Sequence, residues 1–445
     1  MKRLAPLALL GLLVACRDPA PARDQWLVTV TTDAPLPQFG DRLLVEILDE
    51  EGELACPSCR RVLGIRTEDL PLSFGIAARE KETWLRVRLY RADHTGNDGF
   101  PSSEALVDAL GILPDVGGVR EVSLALTLDC FGRVANPVAG TACDPTTGEV
   151  DAIGELTDSP VLVAGSWWGS QRRACGPVDD DMICVEGGAF LRGSPRHLGL
   201  TKELSAEPER LTVVSPFAID RDEVTVGEVR ALLVAGLLNQ TPLLPNPDPK
   251  APDGTCTFLG ASDPTNDALP VNCVSHQTAE AVCAALGRRL PTEAEWEFAA
   301  GQQELETLFP WGFDADVCSH AIVGRGRLLE AYETEVIPCR LLPDGSLAPW
   351  GPQPGGQPLD TTNLGILNLA GNVAEWVADG FVPYGQGCHD EPDSPLIDPL
   401  CGGGVGPWVV RGSGWNGLQV DARVIVRRRS ALPATNNGFR CARSF

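Results

Sequence analysis

Gly287-Arg288-Arg289-Leu290-Pro291-Thr292-Glu293-Ala294-Glu295-Trp296-Glu297-Phe298-Ala299 carries a helix start that can be read residue by residue. Thr292 with Glu295 three positions later forms a capping box, each side chain taking up a free backbone N–H at the helix end. The pattern predicts a helix over 293–300, ended by Gly301. Just upstream, Ser275 can cap a helix over 277–286 that Gly287 ends. Earlier still, Thr225 with Glu228 opens a third helix over 226–235, ended by Gly236. Around these helices lie short strands, such as Cys184–Phe190 with its Gly187-Gly188 turn, and long Gly/Pro/Asn loops. Glu293, Glu295 and Glu297, at a helix start, are expected to stabilise its dipole. Arg427-Arg428-Arg429 reads as a solvated strand face or a structural ion pair.

Working toward the N-terminus, residues 26–130 read as strands. Trp26–Thr31, Leu43–Leu48 and Val122–Leu128 are rich in Val, Ile and Leu, and Thr83–Tyr90 alternates apolar and polar residues as a half-buried strand does. Gly, Pro and Asp clusters separate them. A small β-sandwich of immunoglobulin-like type is the natural architecture. Residues 131–182 show no periodicity and read as a linker or an extension of the sandwich. The fold class is thus α+β beyond an all-β region.

The first residues are an address. Lys2 and Arg3 precede the apolar run Leu4–Ala15, which is too short to span a bilayer and fits the apolar core of an export signal. Leu13-Val14-Ala15-Cys16 resembles the lipobox of bacterial lipoproteins. The resemblance implies removal of residues 1–15, acylation of Cys16, and a tether over 16–25. The expected location is the bacterial cell envelope, anchored to a membrane through lipid, periplasmic or on the outer-membrane surface. Arg17, rather than Asp, follows the anchor and makes the outer membrane plausible.

Composition narrows the rest. The 445 residues hold 60 acidic and 36 basic side chains, a formal net charge of -24. That excess argues against nucleic acid as partner, because phosphate contacts need clustered Lys and Arg. Cys16 removed, fourteen of the fifteen cysteines remain, an even number that suits a disulfide framework in an exported chain. Most are near neighbours: Cys56/Cys59, Cys130/Cys143, Cys175/Cys184, Cys256/Cys273, Cys318/Cys339 and Cys388/Cys401. Cys283 and Cys441 are left as a long-range pair, although spacing alone does not fix connectivity. Cys56-Pro57-Ser58-Cys59 lacks the second CxxC of a zinc site and the βαβ pattern of a thioredoxin, so a local disulfide is expected.

Five motifs occur in order: Pro270-Val271-Asn272-Cys273-Val274-Ser275 leading into the Gly287–Ala299 stretch; Phe309-Pro310-Trp311-Gly312; Asn368-Leu369-Ala370-Gly371-Asn372-Val373-Ala374-Glu375-Trp376; Val410-Arg411-Gly412-Ser413; and Asn437-Gly438-Phe439-Arg440-Cys441. Together they resemble the formylglycine-generating enzyme (sulfatase-modifying factor) family over residues 183–445. The resemblance implies a C-type-lectin-like α+β fold and a Cys283–Cys441 disulfide. A second bridge of some relatives falls on Ala300 and Val426, so both halves are missing together. The family's enzymes oxidise a sulfatase cysteine to formylglycine with oxygen and copper held by two thiolates. Those positions fall here on Asn416 and Asp421, neither a soft ligand, and no cysteine lies between Cys401 and Cys441. Copper is therefore not expected. Ser413 matches a family active-site serine, but without the thiolates it reads as a turn hydroxyl.

Calcium is the expected cofactor. In the family the Asn-x-x-Gly-Asn-x-x-Glu-Trp segment wraps one Ca²⁺, and the matching positions are Asn368, Gly371, Val373 and Glu375. Hard oxygen ligands on a tight loop suit that ion. His320 stands where the family's other calcium site has Asn. His276 stands where relatives carry Trp, and a packed ring is expected. No two histidines are spaced for a zinc or iron site on one helix. The expected function is a non-oxidising binding or scaffold module with a protein or peptide ligand. The alternative is a formylglycine-generating-type oxidase, or another reaction in the same cleft.

Overall fold

The computed structural model describes residues 23–157, 159–194, 206–238, 256–325, 339, 345–355, 359–389, 395–402 and 406–445. The signal segment 1–15, Cys16 and the tether up to residue 22 lie outside the described residues. No helix among the described residues is long and apolar enough to cross a membrane.

The N-terminal part is a two-sheet sandwich. One sheet has β1 (Gln25–Thr32) at its centre, antiparallel to β4 (Leu72–Ala77) and parallel to β7 (Val119–Leu126). The other runs β3 (Arg60–Gly64), β2 (Arg42–Leu48), β5 (Trp84–Tyr90), β6 (Val107–Ile112), all antiparallel. Period-two alternation decides which residues enter the core. Trp26, Val28 and Val30 face Leu43, Val45, Leu85, Val87 and Leu89 in one cluster. The opposite face of the second sheet carries charge: Glu46 accepts from Arg60 at 2.7 Å and Arg88 at 2.6 Å, and Asp108 accepts from Arg86.

Residues 131–170 belong structurally with the sandwich. The hairpin β8 (Thr141–Cys143) and β9 (Val150–Ala152) packs beside β6, and Trp167 is part of the sandwich core. Its indole N–H donates to Asp129 at 2.8 Å. The same core continues into the second part through Ala189, Leu191, Leu211 and Val213. Among the described residues, charge pairs that cross the junction include Arg91 with Glu306 at 2.6 Å and His94 with Glu209 at 2.8 Å.

Among the described residues the second part has three small sheets and few helices. β10 (Met182–Val185), β13 (Phe217–Asp220) and β19 (Ala442–Ser444) form the sheet that brings the first and last strands together. β11 (Gly188–Arg192) and β12 (Arg210–Val214) pair with the short β15 (Leu396–Ile397). β17 (Arg427–Ser430), β16 (Trp408–Arg411), β14 (Ala374–Gly380) and β18 (Asn437–Gly438) make the third. The helices are α1 (Val226–Val234), α2 (His276–Ala285), α3 (Glu293–Ala300) and the single turn α4 (Val317–His320). Thr225 and Thr292 cap as their spacing predicts, each in a closed capping box. His276 is the packed ring expected of it, stacked on Trp408 at 3.8 Å with Nε2 on the Val377 carbonyl at 2.8 Å. All seven disulfides pair as the spacing suggests, including Cys283–Cys441 across 158 residues.

Candidate functional site

Segment 368–376 is a tight loop followed by the start of β14. Asn368 and Asn372 sit in the left-handed region, with φ of 59° and 68°, a conformation Asn tolerates better than most residues. Gly371 is needed for close approach, since a Cβ there would come within 2.8 Å of the Ile322 backbone. The loop is held from three sides. Asp360 accepts the N–H groups of Ala370 at 3.2 Å and Gly371 at 3.1 Å. Glu223 accepts from Asn368 Nδ2 at 2.9 Å and Asn372 Nδ2 at 3.0 Å. Glu375 accepts from Arg440 on both oxygens, at 2.8 and 2.9 Å, and from Trp296 Nε1 at 2.7 Å.

This arrangement gathers three carboxyl groups around one guanidinium. Glu223, Asp360 and Glu375 are all buried, with Arg440 as the buried cation beside them. Burial pushes Glu223 up to about 8, a rise Arg440 opposes and Glu375 adds to. Burial likewise pushes Asp360 up to about 7, although the Ala370 amide and Arg440 pull it down. Asn368 Oδ1 is buried without a hydrogen-bond partner, and such an orphan is costly unless something outside the protein meets it. The unanswered amide oxygen beside this cluster of buried carboxyl groups fits a hard divalent cation. Asn368 and Glu375 side chains and the Gly371 and Val373 carbonyls are the groups that would hold it. Glu375 would divide its oxygens between such an ion and the Arg440 and Trp296 donors.

The strip after β16 positions the other sequence-derived residues. Gly412 has φ 72°, and a Cβ would meet the Leu369 carbonyl at 2.5 Å, so the strip lies directly against the 368–376 loop. Ser413 is fully buried; its N–H donates to Ala370 O at 3.0 Å and its hydroxyl reaches the carbonyls of Leu418 at 3.3 Å and Gly414 at 3.4 Å. These are contacts of a turn hydroxyl. Asn416 is exposed, and Asp421 pairs with Arg428 at 3.3 Å. His320, at the position of the family's other calcium ligand, stacks on Trp311 at 4.6 Å. Beside the strip, Trp415 is buried against the partly exposed Trp350, with ring centroids 5.3 Å apart.

Sequence reasoning missed the buried ionic centre beneath α3. Glu293 does not sit at a solvated helix start: it is fully buried and accepts from Arg192 at 2.8 Å, Arg411 at 2.9 Å and Arg427 at 2.7 and 2.8 Å. Burial opposes its charge, but Arg427, Arg192 and Arg411 together hold its carboxyl well below the usual range. Glu297 accepts from Arg411 at 2.8 Å and the Gly193 N–H at 2.7 Å. The expected dipole role belongs to Glu295, which closes the capping box and pairs with Arg289. Arg427 is the structural ion pair, not the solvated face. No local signal could have shown this, because the three arginines are 101 to 134 residues from Glu293.

The family model for the Sulfatase-modifying factor enzyme 1-like domain matches residues 171–445. The chain belongs to this family of formylglycine-generating-enzyme-like proteins, with the α+β fold that its motifs imply. Mouse Inactive C-alpha-formylglycine-generating enzyme 2 is 29% identical over 300 residues, covering 60% of this chain and 86% of that protein. The Formylglycine-generating enzyme of Thermomonospora curvata is 26% identical, covering 61% of this chain and 96% of that enzyme. The Serine/threonine-protein kinase Pkn1 of Chlamydia trachomatis serovar L2 is 29% identical over 60% of this chain, a match that spans only 39% of the kinase.

Proposed function

We propose that this chain is an exported bacterial lipoprotein whose sulfatase-modifying-factor-like domain binds or scaffolds a protein or peptide without oxidising it. One observation carries the reading. Asn416 and Asp421 stand at the two positions that the resemblance assigns to copper thiolates. The fourteen cysteines among the described residues are all in disulfides. A soft Cu(I) centre needs thiolate donors, and an exposed amide with an ion-paired carboxylate does not supply them. That a relative is named inactive supports a role for this fold beyond oxidation, since function lives in the site and not in the fold.

In this reading the ligand lies against the 413–417 strip and Trp350, calcium stiffens the loop behind it, and acylated Cys16 holds the protein on the envelope. The test is to incubate purified protein with a sulfatase-type Cys peptide, Cu(I) and oxygen, and to look for the aldehyde by mass spectrometry. No formylglycine is expected; formation at enzymic rates would replace the binding reading with an oxidase. Intact mass of protein extracted from bacterial membranes checks the anchor, since residues 1–15 should be absent and Cys16 acylated.

A further inference from the structure

The Cys388–Cys401 disulfide lies beside the end of β14, and its surroundings prepare it for chemistry. Cys401 is 2% exposed and Cys388 half-buried. The Cys401 sulfur is 3.1 Å from His389 Nε2 and 3.5 Å from Nδ1. Arg192 Nη1 lies 3.4 Å from His389 Nδ1. A guanidinium can only donate, so Nδ1 accepts and the ring proton sits on Nε2, shared between the Cys401 sulfur and the Val382 carbonyl. Burial, reinforced by Arg192, pushes His389 down to about 3, so the ring stays neutral and keeps this tautomer at physiological pH. Cys401 N donates to Asp379 at 2.9 Å, which fixes the sulfur's backbone. Among the described residues, Cys388, His389 and Cys401 gather their ligand-type atoms within 4.8 Å of one another.

A disulfide exchanges faster when its leaving sulfur is a stabilised thiolate, and nearby N–H donors and cations provide that stabilisation. Here the stabilised sulfur is the buried one and the more accessible sulfur is its partner. We propose that Cys388–Cys401 is a redox-active disulfide that oxidises a dithiol by exchange, with Cys388 attacked and Cys401 leaving as a thiolate held by His389. The incoming thiolate forms a bond to the Cys388 sulfur, the S–S bond breaks, and its electron pair stays on Cys401. The substrate's second thiolate then attacks the mixed disulfide and releases Cys388. The substrate loses two electrons and two protons and becomes a disulfide; the protein gains both and holds two thiols. The substrate class is a dithiol, on a protein or a small molecule.

The test uses the full folded chain in graded ratios of reduced to oxidised dithiothreitol, followed by alkylation and peptide mass spectrometry of each pair. Cys388–Cys401 should open at a reductant ratio at least tenfold lower than Cys283–Cys441, with the circular dichroism spectrum unchanged. Replacing His389→Phe removes one hydrogen bond to the thiolate and should move the pair about tenfold toward the disulfide, while His389→Gln, which keeps a donor, should restore most of the shift. The proposal is overturned if Cys388–Cys401 opens no earlier than Cys283–Cys441 in the native chain. It is equally overturned if folded His389→Phe protein has the native equilibrium.

Discussion

Replacing Glu293→Gln separates two roles that a glutamate at a helix start can have. If the carboxylate only faced the helix dipole, neutralising it would cost about 0.3–1 kcal/mol. The structure places it instead where three buried guanidiniums converge, within 2.7–2.9 Å. Removing one partner of a buried ionic group costs about 3–5 kcal/mol, because the remaining charges stay desolvated and uncompensated. Arg192 and Arg427 would be the most exposed to this loss, since Arg411 keeps Glu297. For a domain of this size the melting temperature should fall on the order of 10 °C. Glu295→Gln is the matched control two residues away: Gln still closes a capping box, and its Arg289 partner is 37% exposed, so about 1 kcal/mol or less is expected. Urea denaturation of both variants decides. Equal losses from the two substitutions would refute the buried-centre account. The pH dependence has a defined sign: the folded carboxyl is held below its unfolded value of about 4.5, so its stabilisation is present above that value and is lost as pH falls below it.

Calcium at saturating concentration should raise the melting temperature, by the equivalent of about 2.7 kcal/mol at a hundredfold excess over Kd; Asn368→Ala should abolish the rise, and no shift at millimolar calcium in the native chain would remove the loop assignment. Replacing both Cys283 and Cys441 by Ala opens a 158-residue loop and should cost about 5 kcal/mol by chain entropy, read from urea midpoints. At the junction, burial opposes charge on His94, but Glu209 at 2.8 Å raises its value above the usual one. Its contribution is therefore complete below about pH 6.5 and is lost as pH rises through the folded value, so thermal scans between pH 6 and 9 should show stability declining, less steeply in His94→Gln; identical profiles would exclude that pair as the cause.

Local signals were legible and non-local ones were not. The capping boxes at Thr225 and Thr292 are complete within four residues, so they name their own helices. Cysteine spacing likewise named the short bridges. The composition of β3, β4 and β6 hides them: β3 exposes Arg60 and Arg61 at a sheet edge, β4 is interrupted by Gly75, and β6 carries Asp108 for Arg86 and ends in Gly111-Ile112. The reach of the sandwich core to Trp167 had no periodicity to announce it. At the candidate site the loop residues Asn368, Gly371 and Glu375 were readable as a motif, yet Glu223 and Asp360, which hold that loop, come from elsewhere in the chain. Partners contributed by other loops leave no trace in the local pattern of the 368–376 segment.

The strand β19 and Cys441 close a domain that opens at Met182, and Arg440 reaches back to the carbonyls of Asp220 and Arg221. A nascent chain emerging in order therefore has nothing to seal the first sheet against until its final strand is made. The domain must wait, open and thiol-bearing, through some 260 residues of synthesis, and folding becomes an event of completion and not of elongation. A protein built this way keeps Cys283 without its mate until the segment carrying Cys441 is made.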